Sequence, residues 1–274
     1  MILKLLKHEL KSSYRNFAII YGIVLSLGVL APMFYNLKLE RLSIISVVLI
    51  LISAIPFFVV NIVVIVQRFS KNLFGNEGYL TLTLPVKVRT VVLSKILSAV
   101  IWIIAGVVVY FLSLVVLWIV SGMSMDIGMT DIISPFFDVL TSMTGMQSAQ
   151  IVQSAILYGV VGFISTVYTI VLIYFALTLT NIGFIHKFKK ILGVALFFLT
   201  SIITSTITNW FLKLKVISIA VTSNRMEWSD LPSQVTSFPS EIVISLNEYI
   251  VMIAMTVVLF ISIVYLIKNH LSMQ

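Results

Sequence analysis

The stretch "ILSAVIWIIAGVVVYFLSLVVLWIV", residues 96–120, runs for 25 positions without a charge. As a helix it would be about 37 Å long, more than the ~30 Å hydrocarbon core of a bilayer. Five further runs reach about the 20 apolar residues that a crossing needs: residues 17–37, 42–66, 151–179, 191–212 and 249–267. The whole chain is 60% hydrophobic and 10% charged over 274 residues, with a mean hydropathy of +1.14. Backbone in lipid must satisfy its own hydrogen bonds, and the period-2 alternation of a transmembrane barrel is missing. The expected fold is all-α: one polytopic membrane domain over 1–274, with six transmembrane helices.

The charges then set the expected topology. Thirteen of the 18 bases but only Glu9 and Glu77 of the 10 acids fall in 1–16, 67–95, 180–190 and 268–274. Lys and Arg gather on the cytoplasmic side of short loops, so both termini are expected there. The net charge of +8 reads as this asymmetry and as a match to anionic lipid headgroups, with no nucleic-acid partner. With no cysteine, no disulfide staples the outer loops. Neither 123–150 nor the extracytoplasmic loop 213–248 is long enough for an independent core.

In "MILKLLKHELKSSYRN", residues 1–16, Leu3, Leu6, Leu10 and Tyr14 share one helical face, and Lys4, Lys7, Lys11 and Arg15 another. The favoured reading is an amphipathic interfacial helix along the membrane; the alternative is an extension of the first span with snorkelling lysines. Ala18, Gly22 and Ser26 in the first span and Ala155 and Gly159 in the fourth are spaced for close helix packing, within the chain or between two chains. Pro56 should kink the second span, and Asn61 and Asn209 read as interhelical hydrogen-bonding groups.

The chemistry of an enzyme or pump is missing. No span has an ionisable residue in its interior, the usual mark of an ion pathway. His8, His186 and His270 have no metal-ligand spacing, and no catalytic residue or metal site can be proposed. Neither a phosphate-binding G-x-x-x-x-G-K-[ST] loop nor a G-x-S-x-G elbow occurs, so no cofactor is expected on this chain.

The charged segment "RFSKNLFGNEGYLTLTLPVKVRTVVLSK", residues 68–95, holds a glycine turn and a short apolar run, Leu80, Leu82 and Leu84, at the membrane edge. Its pattern of Arg68, Phe69, Lys71, Asn72, Leu73, Gly75, Glu77, Gly78, Tyr79, Leu80, Thr83, Leu84 and Pro85, then Ser94 and Lys95, resembles the cytoplasmic loop of six-span permease subunits of type-2 ATP-binding-cassette transporters. The opening "LLKHELKSSYRNF" is similar to that family's start as well. The resemblance implies a membrane-spanning subunit of a bacterial exporter in the cytoplasmic membrane, paired with a second permease subunit as a homodimer or related heterodimer. A separate ATPase subunit would bind the ATP and Mg. Segment 67–95 would form a coupling helix in a groove of that ATPase, with Phe69, Leu73, Glu77, Tyr79 and Leu80 as contacts. The cytoplasmic turn 180–190, with Phe184, His186 and Lys187, would be a smaller second contact. The alternative is a non-transporting sensor or scaffold that partners the same kind of ATPase.

Overall fold

A computed structural model describes residues 2–37, 40–75, 86–123, 141, 148–182, 189–212, 218–221, 226–229 and 242–270. The fold is all-α in class, and six of its helical stretches are long and apolar enough to cross a membrane. The chain is a multi-pass membrane protein. It divides into two compact units, Met1–Ile132 and Ile133–Gln274, each with three of the membrane-length stretches.

The first unit contains α1 (Ile2–Asn36), α2 (Glu40–Ile52), α3 (Ala54–Phe74) and α4 (Val88–Met123). The separate interfacial helix expected over 1–16 is instead the beginning of the single 35-residue α1. No proline or glycine falls between Leu3 and Phe17 to turn the chain, and the extension alternative describes this helix better. The second span is α2 and α3 joined through a turn at Ser53. Pro56 has no N–H, and its ring crowds the carbonyl four residues back, at Ile52, so the break falls there. Flanking bonds survive: Ser53 N–H donates to Leu49 O at 2.9 Å and Phe57 N–H to Ser53 O at 2.9 Å.

Helix α1 packs chiefly on α4, burying Ser13, Phe17, Tyr21, Val24 and Gly28. A Cβ at Gly28 would meet Ser113 O at 2.7 Å and Ser113 Cα at 3.2 Å, so this glycine is what lets the two backbones approach. Helix α3 buries every fourth residue from Phe57 through Asn61, Ile65 and Phe69 to Leu73.

The second unit contains α5 (Ser148–Ile182), α6 (Lys189–Leu212), three short strands and α7 (Leu246–His270). Helix α5 packs on α7 and α6, and Tyr168 Oη donates to Thr204 Oγ1 at 2.5 Å to tie α5 to α6. Strands β1 (Ser218–Val221), β2 (Met226–Ser229) and β3 (Ile242–Ser245) form an antiparallel sheet in the order β2-β1-β3. Ile219 stands opposite Trp228 on one side and Ile244 on the other. This sheet occupies part of 213–248, read from sequence only as a loop, and Ser245 of β3 runs directly into Leu246 of α7.

Candidate functional site

The charged segment 68–95 begins in the last turns of α3 and ends in the first turns of α4, so these two helix ends are the natural place to look for function. There the structure gathers three charged side chains from three helices. The Lys95 ammonium of α4 donates to Glu9 Oε1 of α1 at 2.7 Å, and Arg68 Nη2 of α3 lies 3.8 Å from Glu9 Oε2. Arg68 Nη1 also donates to the Ser12 carbonyl at 2.8 Å. The Lys95 side chain is 4% exposed, against 18% for Glu9 and 19% for Arg68. A nearly buried ammonium is tolerable only because a carboxylate sits against it. Glu9 thereby fastens α1 to both helices that carry the segment.

Further along α1 lies a second node, aromatic and polar. Phe17 stacks on the Trp102 ring with centroids 4.3 Å apart and planes 13° from parallel. Tyr21 Oη approaches the Trp102 carbonyl at 2.5 Å and Asn61 Oδ1 at 3.2 Å. Both are acceptors and a phenol has one proton, so the nearer carbonyl takes it and the longer contact is the weaker one. Asn61 Nδ2 donates to the Phe57 carbonyl at 2.8 Å. Asn61 is thus the interhelical group expected of it, whereas Asn209 is exposed on α6. Tyr110 Oη of α4 reaches the Ile50 carbonyl of α2 at 2.9 Å.

The residues singled out from sequence distribute unevenly over this framework. Phe69 and Leu73 are each 1% exposed within α3. They are core side chains, which corrects their reading as contacts offered to another protein: they continue the buried row of α3 past the expected end of the span at residue 66. Glu77, Tyr79 and Leu80 lie outside the described residues, as do Phe184, His186 and Lys187 of the second turn. Of the small residues on α1, it is Ser13 and Gly28 that are buried inside the unit, not the stripe singled out from sequence. Gly22 and Ser26 are exposed, Ala18 is half-buried, and a Cβ at Gly22 would meet nothing within 4 Å. Ala155 and Gly159 of α5 are exposed too, with open space at Gly159.

Sequence reasoning missed the joint role of Glu9, Arg68 and Lys95. The available signal was that Glu9 is the only acid in the first 36 residues. Among the described residues no group of three His, Asp or Glu could hold a metal ion. Four threonine hydroxyls of α6 are occupied locally: Thr200, Thr204, Thr206 and Thr208 each donate to a carbonyl of their own helix at 2.5–3.1 Å. They offer little free hydrogen-bonding capacity to a passing solute.

No family model, no characterised protein and no solved structure matches the chain.

Proposed function

We propose that this chain is the membrane-spanning permease subunit of an ATP-driven exporter of the ATP-binding-cassette type, in a bacterial cytoplasmic membrane with both termini cytoplasmic. It pairs with a second permease subunit to form the substrate path, and a separate ATPase subunit binds ATP and Mg. The pattern from Arg68 to Lys95 motivates the family, and the membrane-length helices without a nucleotide-binding motif agree with it.

The observation that carries the mechanical side is the ionic tie at Glu9. A movement imposed on the segment between α3 and α4 is transmitted only if its roots are rigidly attached to the spans. Glu9, held by Lys95 and Arg68, together with the buried Phe69 and Leu73, supplies that attachment. Closure of an ATPase dimer would then move α1, α3 and α4 as one body. With Phe69 and Leu73 committed to the core, direct contact with the ATPase falls to Glu77, Tyr79 and Leu80.

The test is affinity purification of the chain from native membranes. Recovery of a small ATP-binding-cassette ATPase is expected, with no ATPase activity in the chain alone. Glu77→Ala or Tyr79→Ala should leave the ATPase bound while lowering transport relative to hydrolysis in sealed vesicles. Absence of any such ATPase from the purified complex refutes the proposal.

The self-bonded threonines of α6 favour one competing reading, a sensor or scaffold that grips the same ATPase without moving a solute. Binding without transport in the same vesicles would select it.

A further inference from the structure

The outward side of α1 carries a feature that neither the ionic tie nor the transport proposal uses. Lys4, Lys7, Lys11 and Arg15 are all exposed and recur at spacings of three and four, so they form one stripe along the first half of the helix. Among the described residues none of the four makes an ion pair. Glu9, the only acid on α1, is turned to the opposite side and engaged by Lys95 and Arg68. Lys7 with Lys11 and Lys11 with Arg15 are like-charge neighbours at i,i+4, which strains the helix unless an external anion offsets them. The positive end of the helix dipole, beside Lys4, adds to that strain.

The same stripe continues into the span through the half-buried Ala18, the exposed Gly22 and Ser26, and Val29 at 50% exposure. One side of α1 is therefore basic as far as Arg15 and free of charge from there to Val29. Arg15 and Lys11 lie within about 10 Å of Phe17 along the helix axis, close to the headgroup layer. A symmetric contact with a second copy along this stripe would set four cations against four cations, so the occupant must be anionic.

We infer that Lys4, Lys7, Lys11 and Arg15 dock α1 onto the anionic phospholipid headgroups of the leaflet at the N-terminal end of the first span. Basic side chains next to a membrane gain from the negative surface potential, and the gain fades over a Debye length. Arg15 and Lys11 therefore contribute most and Lys4 least.

The test uses the full chain reconstituted in phosphatidylcholine vesicles with trace spin-labelled phosphatidylglycerol or phosphatidylcholine. The motionally restricted signal then yields the preference of the protein surface for the anionic lipid. The wild-type chain should prefer phosphatidylglycerol by up to about fivefold per engaged cation, with the preference shrinking as salt is raised. The variant K4Q/K7Q/K11Q/R15Q should lower it several-fold, the remainder coming from the other bases of the chain, and K11Q/R15Q should lower it more than K4Q/K7Q, at equal charge. Since Gln is a good helix former and all four sites are exposed, thermal stability should hold. A quadruple variant that keeps the wild-type preference overturns the inference. So does a larger loss in K4Q/K7Q, which would place the anionic-lipid contact at the N-terminal end of the stripe and not at Lys11 and Arg15. The assay contains no ATPase, so its outcome is independent of the transport proposal.

Discussion

Removing the Glu9 carboxylate while keeping its shape, as in Glu9→Gln, tests whether the tie between α1, α3 and α4 holds the first unit together. The neutral amide would face the Lys95 ammonium at the present 2.7 Å and Arg68 at 3.8 Å. Lys95 is 4% exposed, so its charge could not be rehydrated without opening the helix contact. Deleting one partner of a buried pair costs about 3–5 kcal/mol. Glu9 and Arg68 each keep about a fifth of their exposure to solvent, which puts the expected loss near the lower end, about 3 kcal/mol. For a chain of this size that corresponds to a fall in Tm of about 6 °C. The readout is thermal unfolding of the detergent-solubilised protein by intrinsic tryptophan fluorescence, since a cysteine-free chain offers no thiol to a reactive dye. Much of the loss belongs to the stranded ammonium, so Glu9→Gln combined with Lys95→Met should recover most of it, to within about 1 kcal/mol of wild type. Arg68 would still donate to the Ser12 carbonyl. A single variant within about 1 °C of wild type, or a double variant no better than the single, refutes the reasoning.

Gly28→Ala drives a methyl group against the Ser113 carbonyl at 2.7 Å and should destabilise the chain by about 1–3 kcal/mol in the same assay. Gly22→Ala, in open space, should be neutral or stabilising by up to about 1 kcal/mol. Tyr21→Phe removes the phenol from the Trp102 carbonyl and from Asn61, with an expected loss of about 1 kcal/mol in thermal unfolding, as interhelical bonds in membranes are modest. Phe69→Ala and Leu73→Ala should each lower stability by about 2–5 kcal/mol, because both side chains are buried. A variant at either site that stays fully stable would return it to the role of an exposed contact.

The number of membrane-length helices was legible in sequence because length and apolarity together carry that signal. Pro56 announced the break in the second span, and Asn61 its interhelical role. Which side of a span faces inward was far less legible. In lipid the outer face is as apolar as the inner one, so the periodicity that orients a soluble helix has no contrast to work with. On α1 the spacing of Ala18, Gly22 and Ser26 competed with that of Phe17, Tyr21, Val24 and Gly28, and bulk apolar packing took the inner side. The period-four row from Phe57 to Leu73 was present in the sequence too. Dividing the helix at residue 66, where the first charge came into view, hid its last two members.

Charge carried the opposite difficulty: every base near the N-terminal end looked alike. Lys95 and Lys11 both read as topology signals, yet Lys95 is buried against an acid 86 positions away, whereas Lys11 is exposed and, among the described residues, pairs with no acid. The difference arises because α1 is one continuous helix from Ile2 to Asn36. Had the chain turned at residue 16, Glu9 would have left α3 and α4, and Lys95 would have needed either another acid or water. Continuity of α1 therefore makes Lys95 a structural cation and, by turning Glu9 inward, leaves the outer stripe with its full positive charge. Burial of Lys95 and availability of the Lys4–Arg15 stripe are two consequences of a single geometric choice. A variant that breaks α1 near Asn16, for instance Asn16→Pro, should thus lower both thermal stability and the preference for anionic lipid.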